Sequence, residues 1–437
     1  MTFLTTIGAF SIYGARPLGN PLFVTTGYIG TGTGYIVDTE IDSTGNIVGC
    51  YRDSGLNTYF FEYQIDTTLV HWKQTNNTYV PFNIILDSSD NIYCAGGYNF
   101  IVSGQPVGRG NFIKLNSSAV PQFSDIYQWT PLSSSENVPL IRNIAKYGSN
   151  IYMSFVKEDT AGQPITGFVI SSDTGTLSQI RRIDYSSGFP TTLWGINIIG
   201  ATSTGSFWLA GNYTTYSDPS SGGIIYPYVG LGNSTLASGT GRQVSLGPSV
   251  VRSNDWLYSI TGYSGYVRLT AIDTSYNIQL NVAGTLLGFG EGKAITIDST
   301  NSYIYVAYTD SGATYKEKIS KFSITGTHLW TKTLTRADNS IVGIKKLMAS
   351  SDGTKYFVVT DTEIFEFPSN GDIPGSGIYN TGTQTYRYRN DNWTSTTQAL
   401  TLTASNNWTS STVTASETTQ TTPTATNTTP LINWLEI

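Results

Sequence analysis

One pattern recurs along this chain and leaves few folds open to it. A short apolar strand, Ile84-Ile-Leu86, enters an Asp-Ser turn, Asp87-Ser-Ser-Asp90. A second, more apolar strand, Ile92-Tyr-Cys-Ala95, leaves the turn and ends at Gly96-Gly97. Asn111-Phe-Ile-Lys-Leu-Asn-Ser-Ser118 and then Trp129 complete a unit that reads strand, turn, strand, loop, strand, turn, strand. Related units begin near Ile41-Asp-Ser-Thr-Gly-Asn-Ile-Val48, near residues 144, 195 and 249, at Ala294-Ile-Thr-Ile-Asp298, and at Lys345. The first large residue of each second strand falls at Ile47, Ile92, Ile151, Phe207, Trp256, Ile304 and Tyr356, in steps of 45, 59, 56, 49, 48 and 52 residues.

A period near 50 with four short strands per unit predicts an all-β chain folded as a seven-bladed β-propeller over 36–375. Residues 1–35 form an N-terminal arm and 376–437 a Ser/Thr-rich C-terminal extension. Second strands such as Tyr303-Ile-Tyr-Val-Ala-Tyr308 are apolar on both faces, as a strand between two neighbouring sheets must be. Third strands such as Lys318-Ile-Ser-Lys-Phe-Ser323 alternate, which predicts one partly wet face. The seventh unit has no evident fourth strand after 363–367. A strand from 22–36, or from just after 376, is expected to complete it.

Composition suits this architecture. Charged residues make up 12% of the chain, with 45 Gly and 29 Tyr; aromatic and β-branched residues fit a pleated surface, and Gly supplies tight turns. The formal charge is 24 − 30 = −6 with no Lys/Arg cluster, so no nucleic-acid partner is expected. No apolar run approaches the roughly 18 residues of a membrane span. The start, Met1-Thr-Phe-Leu-Thr-Thr-Ile7, has no basic stretch before its apolar residues, so no secretory signal is expected, and synthesis is read as cytoplasmic. Two cysteines, Cys50 and Cys94, cannot make a disulfide framework; buried thiols are expected, with a single disulfide as the lesser reading.

Little in the chain points to chemistry. His71 and His328 both stand just before the Trp that closes a unit (Trp72 and Trp330), which is repeat geometry. The Asp-rich turns lack the alternating acidic ligands of a calcium loop, and their carboxylates are expected to cap the hairpins. Gly288-Phe-Gly-Glu-Gly-Lys-Ala294 has Leu287 and Ala294 where a phosphate loop needs Gly and Ser/Thr. No catalytic residue, metal or cofactor is expected. The fourth-unit loop is the candidate ligand-binding surface, through Tyr213, Tyr216, Tyr226 and Tyr228; Tyr, Ser, Gly and Asn together offer stiff aromatic faces and adaptable hydrogen bonds. In the extension, Asp391-Asn-Trp393 and Ser405-Asn-Asn-Trp408 form a shorter repeat. Its Thr-rich continuation cannot build a core, so it is extended or disordered unless it docks on a partner. Trp393, Trp408, Leu431, Ile432, Trp434 and Leu435 are read as an assembly anchor.

Ile41-Asp-Ser-Thr-Gly-Asn-Ile-Val48, Phe112-Ile-Lys-Leu-Asn116 and the closing Trp residues resemble a bacterial propeller-repeat family whose units look like those in structural proteins of tailed phages, notably phages of marine cyanobacteria. The resemblance covers about 36–370; the third to fifth units lack its Phe-x-x-Lys core. It implies a non-enzymatic virion protein, a tail or baseplate appendage or a capsid decoration, in multiple copies per particle. Its partners would be other virion proteins and a host-surface glycan, with no membrane insertion. Two alternatives stay open: a glycan-cleaving propeller enzyme, and a bacterial surface binding module.

Overall fold

The computed structural model describes Leu22–Thr26 and residues 34–436 apart from 54, 56, 65–68, 76–78, 103–104, 130–139, 159–163, 185–191, 215–224, 245, 313–314, 374–377, 381–384, 406–407, 414, 420–423 and 428–431. No helix forms among the described residues. The first unit is Tyr35–Ile41, Ile47–Arg52, Thr58–Tyr63 and Leu69–Thr75, each antiparallel to the next. The second (Tyr79–Leu86, Ile92–Val102, Gln105–Leu115, Pro121–Trp129) and third (Leu140–Tyr147, Asn150–Glu158, Pro164–Ser172, Leu177–Asp184) repeat that meander.

The turns that start each unit follow from their Asp residues. The Asp42 carboxylate accepts the N–H groups of Thr44 and Asn46 at 2.9 and 2.8 Å. Asp87 does the same for Ser89 and Asn91 at 2.9 and 3.0 Å, and Asp298 for Ser302 and Tyr303, both at 2.8 Å. The turn also needs one left-handed residue, supplied by Gly45 (φ 93°), Asp90 (φ 60°) or Asn301 (φ 57°).

Apolar residues then join each unit to the next. Seven clusters are present among the described residues, each drawing on two consecutive units. Cys50 and Phe60 of the first meet Ile84, Cys94 and Ile113 of the second; Tyr305 and Leu334 of the sixth meet Tyr356 and Phe365 of the seventh. One cluster joins the ends, with Ile36, Tyr51 and Trp72 against Met348, Phe357 and Ile364. A run of radially stacked sheets whose last packs on its first is a β-propeller. Six of the seven marker residues are fully buried; Trp256 is half-buried.

The seventh unit closes from the N-terminal side. Lys346–Ala349, Lys355–Val359 and Glu363–Pro368 are joined by Leu22–Thr26, antiparallel with Phe23 opposite Phe365. The C-terminal extension then makes a full circuit of the rim. Thr385–Asp391 adds to the outermost strand of the sixth unit, His328–Arg336. Ser395–Thr396 adds to the fifth at Ala283 and Gly284, and Thr403–Ser405 to the fourth, Ser238–Gln243. Trp408–Val413 bridges the fourth to the third, Ala415–Thr419 adds to the second, Ala425–Asn427 to the first, and Ile432–Glu436 to Leu22–Thr26. Every pairing is antiparallel. The Thr-rich stretch therefore has a partner within its own chain: exposed outer strand edges, which need backbone hydrogen bonds and no core.

Two expectations are corrected. The strands hydrogen-bond into five sheets, not seven. Trp408–Val413 welds the third and fourth units into one ten-stranded sheet. The strand Ile278–Ile297 pairs through 278–289 with Leu257–Ile272 and through 290–297 with Tyr303–Asp310, merging the fifth and sixth. The third strand Lys316–Ser323 is buried along its interior rather than wet on one face. Lys318 Nζ reaches Asp310 and Asp391 at 3.0 and 3.3 Å; Lys321 Nζ lies 3.9 Å from the Tyr303 ring centroid and donates to the Ser369 carbonyl.

Candidate functional site

The innermost strands of all seven units surround an axial cavity of about 520 Å³. Several of these strands carry an irregularity at the same height. The register slips between Ile36 and Asp38, Pro81 and Asn83, Ile141 and Asn143, Trp194 and Asn197, and Gly292 and Ala294. A bulge re-aims the side chain that follows it. In four units that residue is an Asp or Asn: Asp38, Asn83, Asn143 and Asn197. They precede the buried markers Ile47, Ile92, Ile151 and Phe207 by 9, 9, 8 and 10 residues, a spacing legible in the sequence.

Asp38 is the hub. Its Oδ2 accepts the Asn83 amide at 2.7 Å and the Ile84 N–H at 2.9 Å, and its Oδ1 accepts Lys346 Nζ at 2.8 Å. Asn83 Oδ1 in turn accepts the Ile144 N–H at 3.2 Å. One carboxylate thus ties the seventh, first and second units, and Asn83 passes the link to the third. Lys346 also donates to Glu40 at 2.7 Å. Burial opposes the Lys346 charge, but the Asp38 and Glu40 carboxylates outweigh it and hold the ammonium pKa above its ordinary value. Burial raises the Glu40 pKa, Lys346 pulls it back in part, and Asp38 adds to the rise. The triad lies deep in the channel yet stays in touch with water, with 28% of the Lys346 side chain and 34% of Glu40 exposed. Beyond it, the lining alternates the amides of Asn83 and Asn143 with Ile85, Ile144, Ile199 and Val250. Such a wall suits a neutral polar ligand with an apolar face.

The sequence-derived candidates lie elsewhere. Tyr213 and Tyr226 are register partners in the fourth unit, and Tyr228 stands opposite Gly211; Tyr216 lies outside the described residues. Trp393 packs within its own chain, stacked on His328 at 5.6 Å and edge-on to Phe322 at 4.9 Å. Gly284 makes its seat, since a Cβ there would stand 2.6 Å from the indole. Trp408 opens the strand that bridges the third and fourth units. Ile432, Trp434 and Leu435 belong to the strand paired with Leu22–Thr26, and Leu431 lies outside the described residues.

His71 Nδ1 is 3.3 Å from Glu62, and burial, with Lys73 nearby, pushes the imidazole down to about 4. Cys50 and Cys94 are free, buried thiols packed in one cluster, and burial raises the Cys50 pKa well above its ordinary value. Among the described residues no group of three His, Cys, Asp or Glu side chains is placed to hold a metal ion.

No protein-family model matches the chain, and no curated protein does. Among solved structures it is similar to the full extracellular region of plexin A4, at 8% identity and TM-score 0.43, covering 79% of this chain and 51% of that one. It is similar to extracellular domains 1–2 of Drosophila semaphorin 1a, at 9% identity and TM-score 0.44, covering 79% and 88%. It is also similar to an α-L-arabinofuranosidase from Fusarium graminearum solved with an iminosugar inhibitor, at 8% identity and TM-score 0.41, covering 80% and 98%. The chain thus spans about half the length of the plexin region. At these values the fold assignment rests on strand topology and the ring of shared clusters.

Proposed function

We propose that this chain is a non-enzymatic binding protein, a ring of seven four-stranded units that offers its channel mouth and loops to a ligand and is cinched by its own C-terminus. Seven inner strands around one cavity and seven inter-unit clusters support that count, with two of the five sheets holding two units each. The observation that carries the binding reading is the mutual saturation of the channel charges. Glycoside cleavage needs two carboxyl groups flanking one bond; here Asp38 and Glu40 both bind the same ammonium, so neither stands free across a gap from the other. The repeat resemblance supplies the setting of the proposal: a tailed-phage virion protein in multiple copies, in contact with other virion proteins and a host-surface glycan.

One observation favours a second reading, glycan cleavage. Glu40 has a raised pKa beside Asp38, a pattern shared by acid–base pairs. Incubation with host-surface polysaccharides separates the two. The binding reading expects saturable association with no release of reducing ends. Release by the wild type, lost in Asp38→Asn or Glu40→Gln, overturns it. Mass spectrometry of purified particles tests the setting, and absence of the chain from them sinks it.

A further inference from the structure

A second pocket lies on the rim, away from the channel, where the C-terminal circuit crosses the sixth unit. It encloses about 190 Å³ and is lined by Lys316, Thr333, Thr335, Asn339, Arg387, Arg389, Asn390 and Asp391. Register places these groups together. Thr335 stands opposite Arg387, Thr333 opposite Arg389 and Thr331 opposite Asp391, so the alternate residues 387, 389 and 391 share one face with the threonines. The strand that caps the unit thereby brings two arginines to a ring with few charges.

The balance of charge in the pocket is positive. Among the described residues no carboxylate forms an ion pair with Lys316, Arg387 or Arg389. Asp310, in register with Lys316, is already bound by Lys318 Nζ at 3.0 Å and by the Leu287 N–H at 3.1 Å. Asp391 is held by Lys318 at 3.3 Å and by the Thr333 hydroxyl at 2.6 Å. Arg387 is aimed by Asn339, whose Oδ1 accepts its guanidinium at 2.8 Å; Asn339 sits in the left-handed region, φ 66°, at the tip of its turn. Asn390 alternates to the opposite face of the strand, where its Oδ1 accepts Lys332 Nζ at 2.6 Å. Three cations with free donors thus face a space bordered by hydroxyl and amide groups and one ionised carboxylate.

We propose that this rim pocket binds an acidic sugar, with the carboxylate of a uronic acid between Arg387, Arg389 and Lys316 and the ring hydroxyls on Thr335 and Asp391. Guanidinium forks match a planar carboxylate. The Asp391 carboxylate accepts from a hydroxyl but repels a compact dianion, so the pocket favours a carboxylate-bearing ring over inorganic phosphate. The volume holds one pyranose ring. The inference deepens the glycan-binding reading above and rests on it for biological meaning, but its test is separate.

The test titrates the full chain by calorimetry with tetragalacturonate, neutral cellotetraose and inorganic phosphate at low ionic strength. Expected is saturable tetragalacturonate binding that weakens with added salt, with cellotetraose at least tenfold weaker and phosphate weaker than tetragalacturonate. Arg389→Gln, at an exposed position, and Lys316→Gln each weaken it about tenfold or more, as loss of a charge-assisted contact should, with the thermal midpoint unchanged. Tetragalacturonate binding that is absent, or that neither variant diminishes, overturns the proposal. So does phosphate binding tighter than tetragalacturonate. If host polysaccharide binds the wild type and both variants alike, the rim site fails while the general binding reading stands; if host polysaccharide binds none of them, the general reading fails as well.

Discussion

At the scale of single residues, the ring is joined by a few polar groups set at its interfaces. Lys346 is the sharpest case, because it neutralises two carboxylates from another unit. Lys346→Met leaves Asp38 and Glu40 facing each other. The expected cost is about 2 kcal/mol at pH 7, below the figure for a fully buried pair because water reaches the channel. The sign with pH follows. Without the ammonium, Glu40, already raised by burial, loses the partner that lowers it, so its protonation favours folding and the deficit shrinks as pH falls from 7 toward 4. Urea unfolding of wild type and variant at both pH values checks this. His71 works in the opposite direction. Its folded pKa is lowered from 6.5 to about 4, so its contribution is complete above pH 6.5 and is lost as pH falls through that window. His71→Gln should flatten this part of the stability profile; equal acid sensitivity in the two proteins would contradict it. These roles were only partly legible. The Asx positions stand at a steady distance before the buried markers, but the bulge that points them inward is a property of strand pairing and leaves no composition signal.

At the scale of elements, one turn does two jobs. Asp90 takes the left-handed position of its own hairpin, and its carboxylate accepts the Ser43 N–H at 2.8 Å and hydroxyl at 2.6 Å from the preceding unit. Asp255, φ 67°, repeats this on Ser203, at 2.6 and 2.5 Å. Asp90→Ala loses the clasp and places an alanine at positive φ, for an expected cost of about 2 kcal/mol. Asp90→Gly relieves the backbone and loses only the clasp, so it should cost about half as much; chemical denaturation of the two variants side by side measures the split. The hairpins themselves were readable, since Asp-Ser turns between apolar strands carry their own chemistry. The link from one turn to the next was not, because it spans 47 residues and depends on ring geometry. The burial of Lys318 and Lys321 is not legible in the sequence for a similar reason: alternation within a strand signals a wet face only when no neighbouring sheet covers it.

At the scale of the molecule, the C-terminal circuit decides how the ring behaves. It covers the outermost strand of each unit in the order sixth, fifth, fourth, third, second, first and seventh, and so replaces the longer edges of the ring strands with the short edges of its own segments, which invite less pairing between molecules. Truncation after residue 402 keeps buried Tyr386 and Tyr388 and the Trp393 seat but uncovers the edges of five units. Light scattering should then report concentration-dependent aggregation, with a lower thermal midpoint, where the full chain stays dispersed. The sequence displayed this segment as Thr-rich and without a core. It could not display the partner, because an edge strand is held by backbone hydrogen bonds that most side chains allow. Hydrogen exchange on the full chain tests the circuit most directly, through the amides of Trp408–Val413 and Ala415–Thr419. Protection that rises and falls with that of Leu177–Asp184 and Pro121–Trp129 is predicted; complete exchange of those amides within seconds while the ring strands stay protected would contradict it.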